Sequence, residues 1–93
     1  MIRYRLYTEN KKNIDGITSK LFDGFTLLKG TGYWRGKREG CLIIEILADK
    51  ETKNIEVLAN TIKRVNKQES VYVTSEPVTA ALIYNKTFKI RKG

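Results

Sequence analysis

The chain has 93 residues, with 18 Lys and Arg against 10 Asp and Glu, so 18 − 10 gives a formal net charge of +8. It contains no His, which excludes a Ser-His-Asp or Cys-His catalytic group and a His-ligated metal site. Its single Cys excludes an intramolecular disulfide, a zinc ribbon and an iron–sulfur cluster. The composition, 41% hydrophobic and 30% charged, is typical of one folded domain. We expect a radius of gyration of about 12 Å.

No segment has the character of a membrane span or a secretion signal. The longest apolar run, residues 41–44, is far shorter than the roughly 20 residues that a spanning helix needs. The first five residues lack an apolar signal region. We therefore expect a cytoplasmic protein that does not bind membranes.

The first third of the chain predicts a strand, a helix and a second strand. Residues 2–7 alternate apolar and polar or cationic side chains, which is the period of a half-buried strand. Residues 8–10 offer side chains that cap helices, and apolar residues then recur at helical spacing over residues 14–22. A strand follows over residues 25–34.

The rest of the chain predicts two strands around a longer helix, and then a fifth strand. Residues 41–47 form the most continuously apolar run, as expected for a central strand. Thr52 can cap a helix whose apolar stripe runs from Ile55 to Val65. Further strands are predicted over residues 70–74 and 78–84.

This order of elements predicts an α+β fold: a ferredoxin-like βαββαβ sandwich, with an antiparallel sheet and two helices on one face. Residues 1–84 would form the single domain. Residues 85–93 are a basic C-terminal tail that could be an extra strand, an arm onto a neighbouring subunit or a frayed end.

The second face of such a sheet would be open. If it is apolar, self-association as a dimer or trimer would cover it; the alternative is a monomer whose second face is polar. The candidate apolar residues for this face are Tyr4, Leu6, Phe25, Leu27, Ile43 and Val73.

Residues 30–40 form the densest group of candidate binding residues. They include four of the seven glycines, the single Trp and three cations. Backbone N–H groups next to glycine, cationic side chains and an aromatic face are the groups that bind phosphates and stack on bases. The sequence therefore predicts a site for a small anionic ligand of the nucleotide class, without a cofactor or metal. Its residues would be Gly30, Gly32, Tyr33, Trp34, Arg35, Gly36, Lys37 and Arg38.

A structural interpretation of the same segment is a β-hairpin, with a short loop over residues 35–40 between its two strands. Its glycines would then satisfy turn geometry, with a bulge or a close backbone approach at Gly30 and Gly32. Tyr33 and Trp34 would pack against a partner subunit. The Gly-x-Gly pattern opens no helix, so it is neither a dinucleotide fingerprint nor a P-loop.

The segment Tyr33-Trp34-Arg35-Gly36-Lys37-x-Glu39, followed by an apolar strand, resembles the second hairpin of the CutA family, which belongs with the PII signalling proteins. That resemblance implies ferredoxin-like subunits that form trimers. In PII proteins this loop and the clefts between subunits bind nucleotides. A non-catalytic module that binds a nucleotide could act as a sensor or as a phage-borne sequestering protein.

Three further motifs, residues 22–26, Gly32-x-Trp34 and residues 68–71, resemble an uncharacterised family of small bacterial and phage ferredoxin-like proteins. This resemblance implies the same fold and self-association. A phage origin would place the protein in the cytoplasm of the host cell.

Charge favours a second hypothesis, a nucleic-acid-binding protein. The isoelectric point near 9.8 is in the range of such proteins, although the RNP1 pattern is absent and the third strand has no aromatic residue. The candidate contacts are Arg3, Arg5, Lys86, Lys89, Arg91 and Lys92. A third hypothesis is a protein-binding inhibitor or structural subunit without a small ligand.

Catalysis has the weakest support, and we expect no enzymatic activity. Cys41 opens an apolar strand and is expected to be buried and inert. The candidate carboxylates lack an evident partner; they are Glu39, Glu45, Glu69 and Glu76.

Overall fold

The computed structural model describes residues 1–84 and 87–92, with side chains described as far as Ala81. Its strands and helices, in chain order, are β1 (Ile2–Glu9), α1 (Ile14–Ser19), β2 (Thr26–Trp34), β3 (Lys37–Ala48), α2 (Asn54–Asn66), β4 (Tyr72–Pro77), β5 (Thr79–Tyr84) and β6 (Thr87–Lys92).

Four of the strands form one antiparallel sheet in the order β2-β3-β1-β4. Together with the two helices, this confirms the predicted α+β class and is compatible with a ferredoxin-like arrangement. Strands β5 and β6 pair with each other in a separate two-stranded sheet.

The core lies between one face of the sheet and the two helices. Leu6 pairs with Ile44 across β1 and β3, and both side chains are fully buried. Leu58 and Ile62 of α2 and Ile14 of α1 belong to the same cluster. Because side chains alternate along a strand, every second residue of β1 and β3 points into this core. Both helices therefore cover the same face.

Helix α1 is shorter than the sequence pattern predicts. It ends at Ser19, and its N-cap is Asn13, whose backbone is left-handed and whose side chain makes no capping hydrogen bond. Residues 8–10 do not cap it, because β1 continues to Glu9 and the Thr8 side chain is buried beneath the sheet.

Helix α2 matches its prediction closely. The hydroxyl of Thr52 accepts a hydrogen bond from the N–H of Asn54, the first helical residue, over 3.2 Å. Lys63 and Arg64 lie in the last turn, where cations stabilise the helix dipole. The exception is Val65, which was expected on the apolar stripe but is exposed.

Two strand boundaries also differ from the prediction. Strand β3 begins at Lys37 and not at residue 41, so most of the predicted loop is part of a hairpin. Strand β4 covers Tyr72–Pro77 and not residues 70–74; Pro77 ends it at an edge of the sheet, where a missing N–H costs no pairing.

Several apolar residues that were predicted for the open face lie on the opposite face of the sheet. Tyr4 and Leu6 are buried under the helices, and the register places Leu27 and Val73 on that same side. Ile43 lies on the other face, opposite Tyr7. The open face is therefore built from a different set of residues.

The chain is elongated, with extents of 47 × 23 × 21 Å and a radius of gyration of 14.6 Å, above the 12 Å expected for a ball. The β5–β6 hairpin leaves the sheet where β1 begins, since the N–H of Val78 donates to the carbonyl of Met1 over 2.9 Å. Residues 85, 86 and 93 of the predicted tail lie outside the described residues. None of the helices described has the length and apolar character needed to cross a membrane.

Candidate functional site: a cleft beside the β2–β3 hairpin

The predicted binding segment forms a tight hairpin. Trp34 pairs directly with Lys37, which leaves Arg35 and Gly36 as a two-residue turn. Both turn residues have positive φ, 51° and 77°, as a type I′ turn requires. Gly36 suits this conformation because it has no Cβ, whereas Arg35 adopts it against the ordinary preference of an L-residue.

The pairing of β2 with β3 is continuous, so the predicted bulge at Gly30 and Gly32 is wrong. The register runs without a break from Thr26 opposite Glu45 to Trp34 opposite Lys37. A Cβ on Gly30 would meet nothing within 4 Å, so no close backbone approach explains this glycine.

Alternation along the hairpin divides the predicted site between two faces. Residues that pair directly share a face, so Trp34 and Lys37 lie together on the open face. Tyr33 and Arg38 lie together on the opposite one. The guanidinium of Arg35 sits over the Trp34 ring, 5.4 Å from its centroid, in a cation–π contact that occupies one face of the indole.

The hairpin projects beyond the end of β1 and leaves a cleft beside it. β1 pairs with β3 only as far as Glu9 opposite Cys41. The α2–β4 connection, residues 67–70, forms the other side of a cleft with a volume of about 390 Å³. That size is within the range of small-ligand sites. Of the predicted site residues, the lining includes Gly32, Tyr33 and Trp34.

The predicted cations do not line this cleft. Arg35, Lys37 and Arg38 are exposed around the turn, outside the lining. The charged residues of the lining are instead Glu9, Glu39, Glu69 and Lys67.

Aromatic side chains complete the lining. The sequence analysis proposed Tyr33 and Trp34 for this role but missed Tyr7 and Tyr72. Those two are a directly opposed pair on β1 and β4, a relation that becomes visible only once the register is known. A second groove, beside α2, contains none of the predicted site residues.

A hydrogen-bonded group of polar side chains fixes the wall of the cleft. The Oε1 atom of Gln68 accepts hydrogen bonds from the Thr8 hydroxyl over 2.6 Å and from the Asn66 side-chain amide over 2.7 Å. Thr8 and Asn66 are buried. The Nζ of Lys11 donates to the Asn66 carbonyl over 3.0 Å and also pairs with Glu9. These bonds tie the end of β1 to the start of the α2–β4 connection.

The cleft opens onto the uncovered face of the sheet. One row on this face crosses all four strands, because Leu28 pairs with Ile43, Ile43 with Tyr7, and Tyr7 with Tyr72. Leu28 is 44% exposed and Tyr72 is 73% exposed. Tyr7 and Ile43 are partly buried by their neighbours in the sheet. We call these four residues the apolar row.

Arg3 and Arg5, the predicted nucleic-acid contacts on β1, lie on the same open face. Both Nε and Nη2 of Arg5 lie 3.1 Å from Oε1 of Glu45, which is also 3.7 Å from Nε of Arg3. Arg3 donates in addition to Glu76. The hydrogen bond to Glu45 raises the pKa of Arg5 above its ordinary value, so Arg5 stays charged. Glu45 and Glu76 thus have cationic partners that the sequence did not reveal.

The other predicted nucleic-acid contacts belong to the C-terminal segment. Lys86 lies outside the described residues. Lys89, Arg91 and Lys92 belong to β6, where the backbone pairing is described and the side chains are not.

Cys41 lies at the edge of the cleft and is partly exposed, so it is not the fully buried residue that we expected. Within the part of the chain that the structure describes, no group of three or more Cys, Asp or Glu side chains could hold a metal ion.

No protein-family model matches this chain, and none of the curated proteins matches it either. The resemblances to the CutA family and to the small phage proteins therefore stay predictions.

Replacing Gln68 with Ala tests the polar wall of the cleft. The buried Thr8 hydroxyl and Asn66 amide would lose their shared acceptor, so we expect the free energy of unfolding to fall by about 1–3 kcal/mol. Urea denaturation measures it. The neighbouring Glu69→Ala is the control, because its side chain is exposed and its effect should stay within about 0.5 kcal/mol. Equal effects of the two substitutions would contradict this account of the wall.

Proposed function

We propose that this protein is a non-catalytic binding module that associates with copies of itself through the open face of its sheet, and that the cleft beside the hairpin is its ligand site. We also propose that the domain is ferredoxin-like, because a helix follows each of β1 and β3 and the strands adopt the order β2-β3-β1-β4.

The apolar row is the observation that carries the proposal. Its residues extend across the full width of the sheet, and both helices pack on the opposite face. Leu47, which is 50% exposed, adds apolar surface at the far end of the same face. Contiguous apolar surface of this kind is typical of an interface with another protein.

The size of the chain favours a second copy as the cover. A 93-residue domain buries only about two thirds of the surface of its unfolded chain, so it gains more from association than a larger domain does. A second copy offers the same row, and a two-fold axis would place the two rows against each other.

Electrostatics on this face support a protein partner over a nucleic acid. The guanidinium groups of Arg3 and Arg5 are paired with Glu45 and Glu76, so these four residues together carry no net charge. Phosphate binding depends on cations that are free to replace counterions. A neutral, ion-paired group can instead be buried against another protein surface.

Leu28→Lys tests the proposed interface. It places a positive charge in the apolar row. Burying that charge without an ion-pair partner is unfavourable, so we expect the assembly to dissociate to monomers. Sedimentation velocity across a range of concentrations measures this change. The matched control is Val65→Lys, which introduces the same charge at an apolar residue of similar exposure on helix α2.

The control should sediment as the unmodified protein does. If Leu28→Lys and Val65→Lys give the same mass as the unmodified chain, the open face is not the interface. Circular dichroism of both variants verifies that the fold is retained.

The anionic ligand expected from the sequence is a second candidate function, located at the turn and outside the cleft. Three cations, Arg35, Lys37 and Arg38, lie within four positions around the turn, and all are exposed. The cation–π contact holds the guanidinium of Arg35 over Trp34, which lies on the same face as Lys37. This grouping favours binding of a phosphate, such as that of a nucleotide.

The double substitution of Arg35 and Lys37 by Ala tests this second function. If nucleotides bind at the turn, the loss of two charge-assisted contacts should weaken binding of ATP by at least about tenfold in isothermal titration calorimetry. The control replaces Lys50 and Lys53 by Ala, which removes the same charge from exposed sites elsewhere. Equal weakening in both variants would show that ATP responds only to net charge.

A further inference from the structure

We infer that the cleft binds a basic extended segment, and that its occupant is strand β6 of a second copy of this chain. This inference rests on the proposed self-association and adds to it the identity of the segment that the cleft binds. The sequence of the hairpin predicts an anionic ligand, whereas the occupant inferred here is cationic.

The charge of the cleft is opposite to that of the protein. The chain carries a net charge of +8, yet the lining includes Glu9, Glu39 and Glu69 against the single cation Lys67. Lys11 pairs with Glu9 from outside the lining, so Glu39 and Glu69, on either side of the cleft, remain against Lys67. These two belong to the hairpin and to the α2–β4 connection respectively.

The aromatic lining suits the same ligand. Tyr7, Tyr33, Trp34 and Tyr72 all line the cleft. Aromatic rings attract ammonium and guanidinium groups through their negative faces, and the attraction grows where water is excluded. Aromatic rings and carboxylates together are therefore suited to Lys and Arg side chains.

The backbone beside the cleft is an open sheet edge. Residues 37–40 of β3 pair with β2 on one side, whereas β1 stops at Glu9, opposite Cys41. The N–H of Asn10 donates to the carbonyl of Gly40 over 3.3 Å, and no strand within the described residues pairs with the edge beyond it. An extended segment can add to such an edge through backbone hydrogen bonds.

Strand β6 has the required chemistry in its sequence. Its six residues, Thr87–Lys92, include three cations, Lys89, Arg91 and Lys92, and no acid. They include two large apolar residues as well, Phe88 and Ile90. As the outer strand of a two-stranded hairpin, β6 pairs with β5 and has a second edge.

The topology indicates that this occupant comes from another copy. Lys92 pairs with Thr79, next to Val78, which is hydrogen-bonded to Met1 at the start of β1. The cleft lies at the other end of β1, beside Glu9. The eight residues of β1 separate the two ends by about 26 Å.

A two-fold axis through the open face would remove this separation. Two copies with antiparallel β1 strands bring the start of one β1 beside the end of the other. Each hairpin would then lie near the cleft of its partner, and the two contacts would be equivalent.

A labelled peptide of residues 86–93 tests the inference on the full-length chain. The receptor carries Lys89→Glu and Arg91→Glu, so that its own β6 no longer competes for the cleft. Fluorescence anisotropy should show saturable binding of the peptide. Adding Glu39→Gln and Glu69→Gln to the receptor should weaken that binding by at least about tenfold.

The matched control receptor adds Glu51→Gln and Glu56→Gln instead, which removes the same charge from the separate groove beside α2. It should bind the peptide as the starting receptor does. Absence of binding to the starting receptor, or equal weakening by both pairs of substitutions, would overturn the inference.

The titration does not depend on assembly, because the peptide is supplied in solution. If the unmodified chain is monomeric in sedimentation while the receptor binds the peptide through Glu39 and Glu69, the peptide site is supported and the open-face interface is contradicted. A receptor that assembles but fails to bind the peptide would contradict the proposed occupant of the cleft and leave the proposed self-association intact.

Discussion

Both helices pack on one side of a four-stranded sheet, and this one-sided arrangement governs the rest of the molecule. Leu6, Ile44 and Leu58 are fully buried between the layers, which fixes the register of β1 and β3. A shift of one residue would expose this entire set, so the register is strongly specified. The same register necessarily places the apolar row on the face that the helices leave uncovered.

The distribution of charge follows from this division into two faces. On the open face the arginines of β1 are neutralised by Glu45 and Glu76, so the excess of cations is elsewhere, around the hairpin turn, on the helices and in the C-terminal segment. The cleft is acidic within a basic protein. An acidic cleft, a neutral open face and a basic C-terminal strand are three surfaces suited to contacts between like chains. The proposed assembly uses all of them.

The order of the elements could be predicted because each depends on a local pattern. Two such patterns identify the buried side chains directly: the alternation of residues 2–7 and the helical spacing from Ile55 to Ile62. The end of α1 and the start of β3 could not be predicted in the same way. Thr8 is a good capping residue in isolation, but its hydroxyl bonds to Gln68, 60 residues away. Local propensity carries no information about such a partner.

The candidate site was predicted only in part, for a related reason. The hairpin residues were identified from their composition, and the structure does place Tyr33 and Trp34 at a cleft. The charged residues that line the cleft beside Tyr33 and Trp34 are determined by the sheet pairing and by the α2–β4 connection, which lies far along the chain. Glu39 directly follows the turn cation Arg38, yet it lines the cleft and the turn cations do not. Tyr7 and Tyr72 required the pairing of β1 with β4, which no local pattern reveals.

Both the proposed assembly and the proposed occupant of the cleft require a second copy of the chain on the open face. Native mass spectrometry of the unmodified chain, purified without denaturation, tests this claim most directly. We expect a complex whose mass is a multiple of the 10.7 kDa chain. A mass of one chain at every protein concentration would contradict it, since the apolar row would then face solvent in the native protein.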